Sequence, residues 1–152
     1  TVLNSGKSAS TLQFRGDLPY RNCKEFSNVF AFQPDIILIK LGANDTKPQN
    51  WKLQNYERDY QAMVDSFKTI SPKVKIVLIR PVPVFATKWG INDSTLVNGV
   101  LPAIDRIAQK NHLQVIDLNQ AMKNAEADFP DKIHPNENGA RKMAQIIADQ
   151  IR

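Results

Sequence analysis

Apolar runs of strand character alternate with helical patterns along this chain, and this alternation limits the possible folds most strongly. Three runs are rich in β-branched residues and leucine: residues 35–41, 74–79 and 115–118. The pair Val2-Leu3 resembles the end of a fourth strand. In the intervening segments, recurring apolar positions predict helices over residues 56–70, 97–108 and 140–151, and a shorter helix precedes Pro34 over residues 24–32. The order predicts an α/β fold, a doubly wound three-layer α/β/α sandwich with a parallel sheet.

Length, charge and cysteine content exclude several function classes. The 152 residues suffice for one domain, and the net charge of +5 raises nucleic acid as a possible partner. The basic residues are scattered, however, and their longest cluster is the pair Arg141-Lys142, so we expect no nucleic-acid partner. No run is long enough for a membrane helix, so no membrane association is expected. Cys23 is the single cysteine and no cysteine–histidine cluster has zinc-site spacing, so we expect no metal and no cofactor.

Polar residues follow the predicted strands at the sheet edge where ligands bind in open α/β folds. After the first long run, Gly42 permits a sharp turn, and the side-chain amide of Asn44 is a suitable donor to a developing oxyanion. After Val2-Leu3, the chain reaches Gly6, whose backbone N–H a tight turn could present. Taken alone, each segment is equally typical of an ordinary turn.

The segment before the last helix carries Asp131 and His134, three residues apart. A carboxylate at this spacing can bond one imidazole nitrogen and fix its tautomer, which leaves the other nitrogen free to take a proton from a nucleophile. Asn136 is a suitable N-cap for the final helix. The opposing interpretation is a surface aspartate and a loop histidine without a catalytic role.

Together, these three segments occur in the order of the conserved blocks of a known family. Gly6, the Gly42-Ala43-Asn44-Asp45 turn and the Asp131/His134 pair resemble the second, third and fifth blocks of the SGNH hydrolases, also called GDSL esterases and lipases. Residues 41–51 and 89–94 also resemble bacterial carbohydrate or sialate O-acetylesterases. The resemblance implies a carboxylic ester hydrolase that removes small acyl groups, above all acetyl, from a small-molecule or glycan ester.

The resemblance also assigns roles to residues. His134 is expected to be the general base, Asp131 its orienting acid, and Gly6 and Asn44 the oxyanion donors. Asp45, Trp51 and Trp89 are candidate substrate-binding residues, because their loops flank the expected site and the aromatic faces of the two tryptophans suit sugar rings. The alternative is that Asp45 shapes the turn and that the two rings pack the loops.

One block of the family pattern has no counterpart. The family's nucleophilic serine lies in a Gly-Asp-Ser block at the end of the first strand, and here Gly16-Asp17 is followed by Leu18 and comes after the second block. We therefore expect residues 1–152 to be one SGNH-like domain truncated at its N-terminus, with the serine outside this sequence. The gap in the sheet would be filled by a complementing segment or by self-association. The resemblance further suggests a periplasmic or secreted bacterial protein.

Two other functions fit parts of the sequence. A non-catalytic SGNH-like domain that binds a glycan or a partner would explain the absent nucleophile. A flavodoxin-like nucleotide or phosphate binder would share the architecture, but it would require a glycine-rich phosphate loop or a Walker lysine, and the sequence contains neither.

Overall fold

The computed structural model describes residues 1–151, and its centre is a three-stranded parallel sheet. The strands are β1 (Ile36–Ile39), β2 (Lys75–Arg80) and β3 (Gln114–Asp117), in the spatial order β1-β2-β3. Ile37 pairs with Ile76 and Leu78 pairs with Val115, which fixes the register. The predicted α/β class and parallel sheet are confirmed.

Six α-helices surround the sheet in the described part of the chain. They are α1 (Lys24–Phe32), α2 (Leu53–Lys68), α3 (Asp93–Thr95), α4 (Leu101–Asn111), α5 (Leu118–Ala121) and α6 (Glu137–Ile151). A π-helical turn over Leu96–Val100 joins α3 to α4. His112 ends α4 in the left-handed conformation (φ 54°), and its N–H bonds the last carbonyls of the helix. No helix among residues 1–151 is long and apolar enough to cross a membrane.

The core forms two layers, one on each face of the sheet. Helices α1, α2 and α4 cover the face that carries Ile37 and Leu78, and α5 and α6 pack near the face that carries Val77 and Ile116. Strand β2 is buried along Ile76–Ile79 because both layers cover it. This arrangement directs the loops after the strands to one edge of the sheet.

The prediction of a strand at Val2-Leu3 is wrong for this structure. Residues 1–7 have no regular structure, and the Val2 side chain is 95% exposed. A strand is stabilised by a paired neighbour, and these two residues pair with none of the described strands. The far edge of β1 is also unpaired within residues 1–151, and Ile36 and Leu38 beside it are each 40% exposed.

Candidate active site

Asp131 and His134 form a hydrogen-bonded pair in the loop before α6. Asp131 Oδ2 lies 2.8 Å from His134 Nδ1, and Asp131 Oδ1 accepts from the backbone N–H groups of His134 (2.7 Å) and Ile133 (2.9 Å). The pKa of the Asp131 carboxyl is held well below its usual range, first by the hydrogen bond from the His134 backbone N–H. The bonds from the His134 imidazole and from the Ile133 N–H lower it further. The ionised carboxylate therefore favours the tautomer with the proton on Nδ1, and Nε2 has no hydrogen-bond partner among residues 1–151.

The loop that carries this pair is fixed by bonds to the start of α6. The Asp128 carboxylate accepts from Asn138 Nδ2 and Lys142 Nζ, both at 2.7 Å, while its carbonyl accepts from the Asn136 N–H at 2.8 Å. Asn136 Oδ1 accepts from Gly139 N at 2.9 Å, which confirms Asn136 as the helix cap. The histidine therefore has a defined position although its side chain is 63% exposed.

Trp89 lies next to the histidine on a strained turn. Its indole centroid is 5.8 Å from the His134 ring, and the Lys88 ammonium lies 4.5 Å from the indole centroid. Lys88 and Ile91 exchange two backbone hydrogen bonds around Trp89 (φ 53°) and Gly90 (φ 82°), as in a type I′ hairpin turn. A positive φ is rare for a bulky residue, yet the indole remains 58% exposed. The turn therefore leaves an aromatic face in solvent beside His134.

The turn after β1 presents Asn44. Gly42 has φ 135°, and a Cβ at this position would lie 2.7 Å from both Tyr56 Oη and Val100 Cγ1, so the turn requires glycine. Asn44 begins a 3₁₀ turn, and its carbonyl accepts from Asn50 Nδ2 at 3.0 Å. The Asn44 side-chain amide has no hydrogen-bond partner among the described residues and can therefore donate to a ligand.

Contacts between loops bring the Asn44 turn and His134 to the same edge of the sheet. Asn92 donates from its backbone and its side chain to Thr46, two residues after Asn44. Trp89, three residues before Asn92, contacts His134. A series of contacts thus connects the Asn44 turn, through Asn92 and Trp89, with the Asp131–His134 pair.

Asp45 does not face a substrate, contrary to its candidate role. Its side chain is fully buried, and its two oxygens accept from Leu12 N (2.9 Å) and Gln13 N (2.8 Å). Burial raises the pKa of the Asp45 carboxyl to about 6, against the lowering effect of these N–H donors. Asp45 therefore ties the segment around residue 12 to the Asn44 turn.

Trp51 differs from its candidate role, and the backbone N–H of Gly6 is already bonded within the chain. The Trp51 ring packs 5.4 Å from the Tyr56 ring and against Gly99, where an added Cβ would lie 2.4 Å from Trp51 Cζ2. It is therefore a packing residue in this structure. The Gly6 N–H already donates to Asn4 Oδ1 at 2.9 Å, so an oxyanion would have to replace that acceptor.

Two residues that form hydrogen bonds around the Asn44 turn, Asn50 and Asn92, were not among the predicted site residues. Asn50, whose side chain bonds the Asn44 carbonyl, lies in the 41–51 segment that carries the family resemblance, but no local pattern marks it as a partner of Asn44. Asn92 caps α3 through Thr95 N (2.9 Å), and an asparagine before a helical pattern could have indicated that cap.

No group of three or more histidine, cysteine, aspartate or glutamate side chains in residues 1–151 could hold a metal ion.

Comparison with known proteins identifies the family of this chain. The model of the GDSL-like Lipase/Acylhydrolase family matches residues 1–142. An acetylxylan esterase of Xylanibacter ruminicola is 36% identical, and the match covers 99% of this chain but 35% of that protein. The chain thus spans about a third of that relative's length.

Solved structures share the fold at lower identity. A carbohydrate esterase family 3 structure from Talaromyces cellulolyticus has a TM-score of 0.67 at 22% identity, and covers 84% of this chain and 62% of its own. A lipase/acylhydrolase from Enterococcus faecalis has a TM-score of 0.70 at 23% identity, and the match covers 86% of this chain and 66% of that one. The acetyl xylan esterase AlAXEase has a TM-score of 0.68 at 21% identity, and the match covers 83% of this chain and 71% of that one.

Proposed function

Because the chain belongs to the GDSL-like lipase/acylhydrolase family, we propose that it carries the acid–base and oxyanion groups of an esterase that removes acetyl groups from carbohydrates. The observation that carries the proposal is the Asp131–His134 pair, with Nδ1 held at 2.8 Å and Nε2 unpartnered among the described residues. The acetylxylan esterase relative supports the substrate class.

The proposed reaction uses a serine outside these 152 residues. Its Oγ attacks the ester carbonyl while His134 Nε2 takes the hydroxyl proton, and the protonated imidazole then gives that proton to the leaving sugar alcohol. Water hydrolyses the acyl-serine by the same proton transfers and releases acetate. Asp131 stays ionised throughout, orients the ring and stabilises the imidazolium.

Asn44 is the best-supported oxyanion donor. Its side-chain amide has no partner among residues 1–151 and lies on a turn that Gly42 and Asn50 fix. Gly6 joins it in the proposal only after its N–H leaves Asn4 Oδ1, because one N–H cannot serve both acceptors well. Loss of one such donor typically costs about 3–4 kcal/mol of transition-state stabilisation.

The substrate part of the proposal rests on Trp89. Its exposed indole beside His134 offers a flat apolar face to a sugar ring that carries the ester. The sequence contains no long apolar segment that could act as a lipase lid, so acetyl is favoured over long acyl chains. We expect an acetyl ester to be hydrolysed much faster than the matching octanoyl ester, and the reverse order would exclude this specificity.

A complementing segment is part of the same proposal. We place residues 1–152 in one domain whose sheet is completed when a further strand, from the rest of the protein or from a second copy, pairs with the free edge of β1. The half-exposed Ile36 and Leu38 beside that edge support this placement, since an added strand and its helix would cover them.

The test is hydrolysis of an aryl acetate by the full-length protein and its His134→Ala variant. The variant should lose turnover and keep the wild-type circular dichroism spectrum, because the His134 side chain is mostly in solvent. Lys132→Ala, an exposed change in the same loop that removes an ion pair with Glu126, is the control and should retain turnover. Unchanged hydrolysis by His134→Ala would exclude the assignment.

A non-catalytic glycan-binding domain is the second candidate. It is favoured by one observation: none of the described hydrogen bonds joins His134 to a serine. A full-length wild-type protein that binds acetylated oligosaccharides without hydrolysing any acetyl ester would establish this function in place of the first.

A further inference from the structure

Asn92 connects the two turns that flank the proposed site. Its Nδ2 donates to the Thr46 carbonyl at 2.8 Å and to the Gly90 carbonyl at 3.2 Å. Its Oδ1 accepts from Thr95 N at 2.9 Å and caps α3. One side chain therefore holds the loop after β1, the Trp89 turn and the start of a helix.

The bonds continue from Asn92 to both sides of Asn44. The Asn92 N–H donates to Thr46 Oγ1 at 3.1 Å, and Thr46 Oγ1 donates to the Ala43 carbonyl at 2.7 Å. Thr46 is 1% exposed, so water does not compete for these bonds. Because Ala43 and Thr46 close the turn that contains Asn44, a shift of Asn92 would move the Asn44 amide.

We infer that Asn92 is a positioning residue of the active site, which sets the Asn44 amide relative to Trp89 and His134. This inference rests on the proposed function, because it assigns Asn92 to the same site. Two donors and one acceptor are needed at this position, and only an amide supplies them at this length. An oxyanion donor must be held to a fraction of an ångström, so a loosened turn lowers the rate without removing any group that touches substrate.

The substitution that tests the inference is Asn92→Asp in the full-length protein. Aspartate has the same shape and is an equally good N-cap, so α3 keeps its cap. Its carboxylate cannot donate, however, and would place oxygen against the carbonyls of Thr46 and Gly90. The variant thus separates the capping role from the connection between the turns.

We expect Asn92→Asp to lower kcat for an aryl acetate by about tenfold or more, with KM nearly unchanged, because the lost interaction belongs to the transition state. An aryl acetate carries no sugar, so its hydrolysis does not depend on stacking with Trp89. The matched control is Asn98→Asp, since Asn98 is exposed and its amide donates to Ser94 O at 3.0 Å. The control should keep the wild-type kcat.

Amide hydrogen exchange gives a readout that does not depend on activity. In the wild type, Asp45 N donates to Gly42 O at 3.1 Å and Thr46 N donates to Ala43 O at 3.2 Å. Asn92→Asp should accelerate exchange at both amides, and Asn98→Asp should not. A kcat equal to that of the control, or unchanged exchange at these amides, would overturn the inference. If the wild type hydrolyses no ester, the proposed function fails and the exchange experiment alone decides the role of Asn92.

Discussion

The buried carboxylate of Asp45 gives the sharpest physical prediction. Burial raises its pKa to about 6 from an ordinary value of 3.8, which at 1.36 kcal/mol per pKa unit corresponds to about 3 kcal/mol. Between pH 4 and pH 6 the folded state therefore binds more protons at this site than the unfolded state does. The contribution of Asp45 to stability is fully present below pH 4 and is lost as the pH rises through 6.

The perturbation is Asp45→Asn, which removes the charge and leaves the shape. Asparagine supplies one acceptor oxygen, whereas Leu12 N and Gln13 N each bond a separate carboxylate oxygen, so one N–H loses its acceptor at a cost of about 1–3 kcal/mol. At pH 4 the variant should thus be less stable than the wild type. At pH 7.5 the difference in unfolding free energy should have moved by about 2–2.5 kcal/mol in favour of the variant, because only the wild type then buries a charge and part of the 3 kcal/mol is already lost at pH 4.

Urea denaturation of the full-length wild type and variant at pH 4 and 7.5 measures this difference in unfolding free energy, and carbon NMR of the aspartate carboxyl groups measures the titration directly. The control is Asp65→Asn on the exposed side of α2. Its free energy of unfolding should differ little from that of the wild type at both pH values. A pKa below 3.8 for Asp45 would refute the reasoning. So would a difference in unfolding free energy that moves in favour of the wild type as the pH rises.

Three further outcomes follow from the same contacts. Asp131→Asn should lower kcat on the order of 10⁴-fold with the fold intact, because the imidazole loses the acceptor that selects its tautomer; a kcat within tenfold of wild type would contradict this. Gly99→Ala should lower stability by about 1–3 kcal/mol in thermal melts, since its Cβ would meet the Trp51 ring at 2.4 Å, and a melting temperature at or above that of wild type would show that Trp51 moves freely. Residues 1–152 alone should melt without cooperativity or self-associate because the edge of β1 is open, and a cooperative melt of a monomer would count against the complementing segment.

Local patterns allowed most of the fold to be predicted. The helical face of α2 and the buried runs of β1 and β2 depend on spacing within one segment, which the sequence displays directly. The Asp131–His134 bond is equally local, since a separation of three residues lets both side chains meet in one turn. The prediction of a strand at Val2-Leu3 was wrong, because a strand depends on a paired neighbour that no local pattern reveals.

The remaining features depend on partners far away in the sequence. Asp45 is bonded to a residue 33 positions away, and Asn92 to one 46 positions away, so neither contact leaves a periodic signal. Trp51 turns inward because Gly99 leaves room for its ring, and two tryptophans in comparable loops cannot be told apart without that information. The candidate catalytic pair was thus predictable, whereas the residues that position its surroundings were not.

The central claim is that this chain supplies the base for a serine that lies outside it. Labelling of the full-length protein with a fluorophosphonate, followed by mass spectrometry of its peptides, tests the claim most directly. The account predicts one labelled serine outside residues 1–152 and loss of the label in His134→Ala. A label on a serine within these residues, or undiminished labelling of the variant, would contradict it.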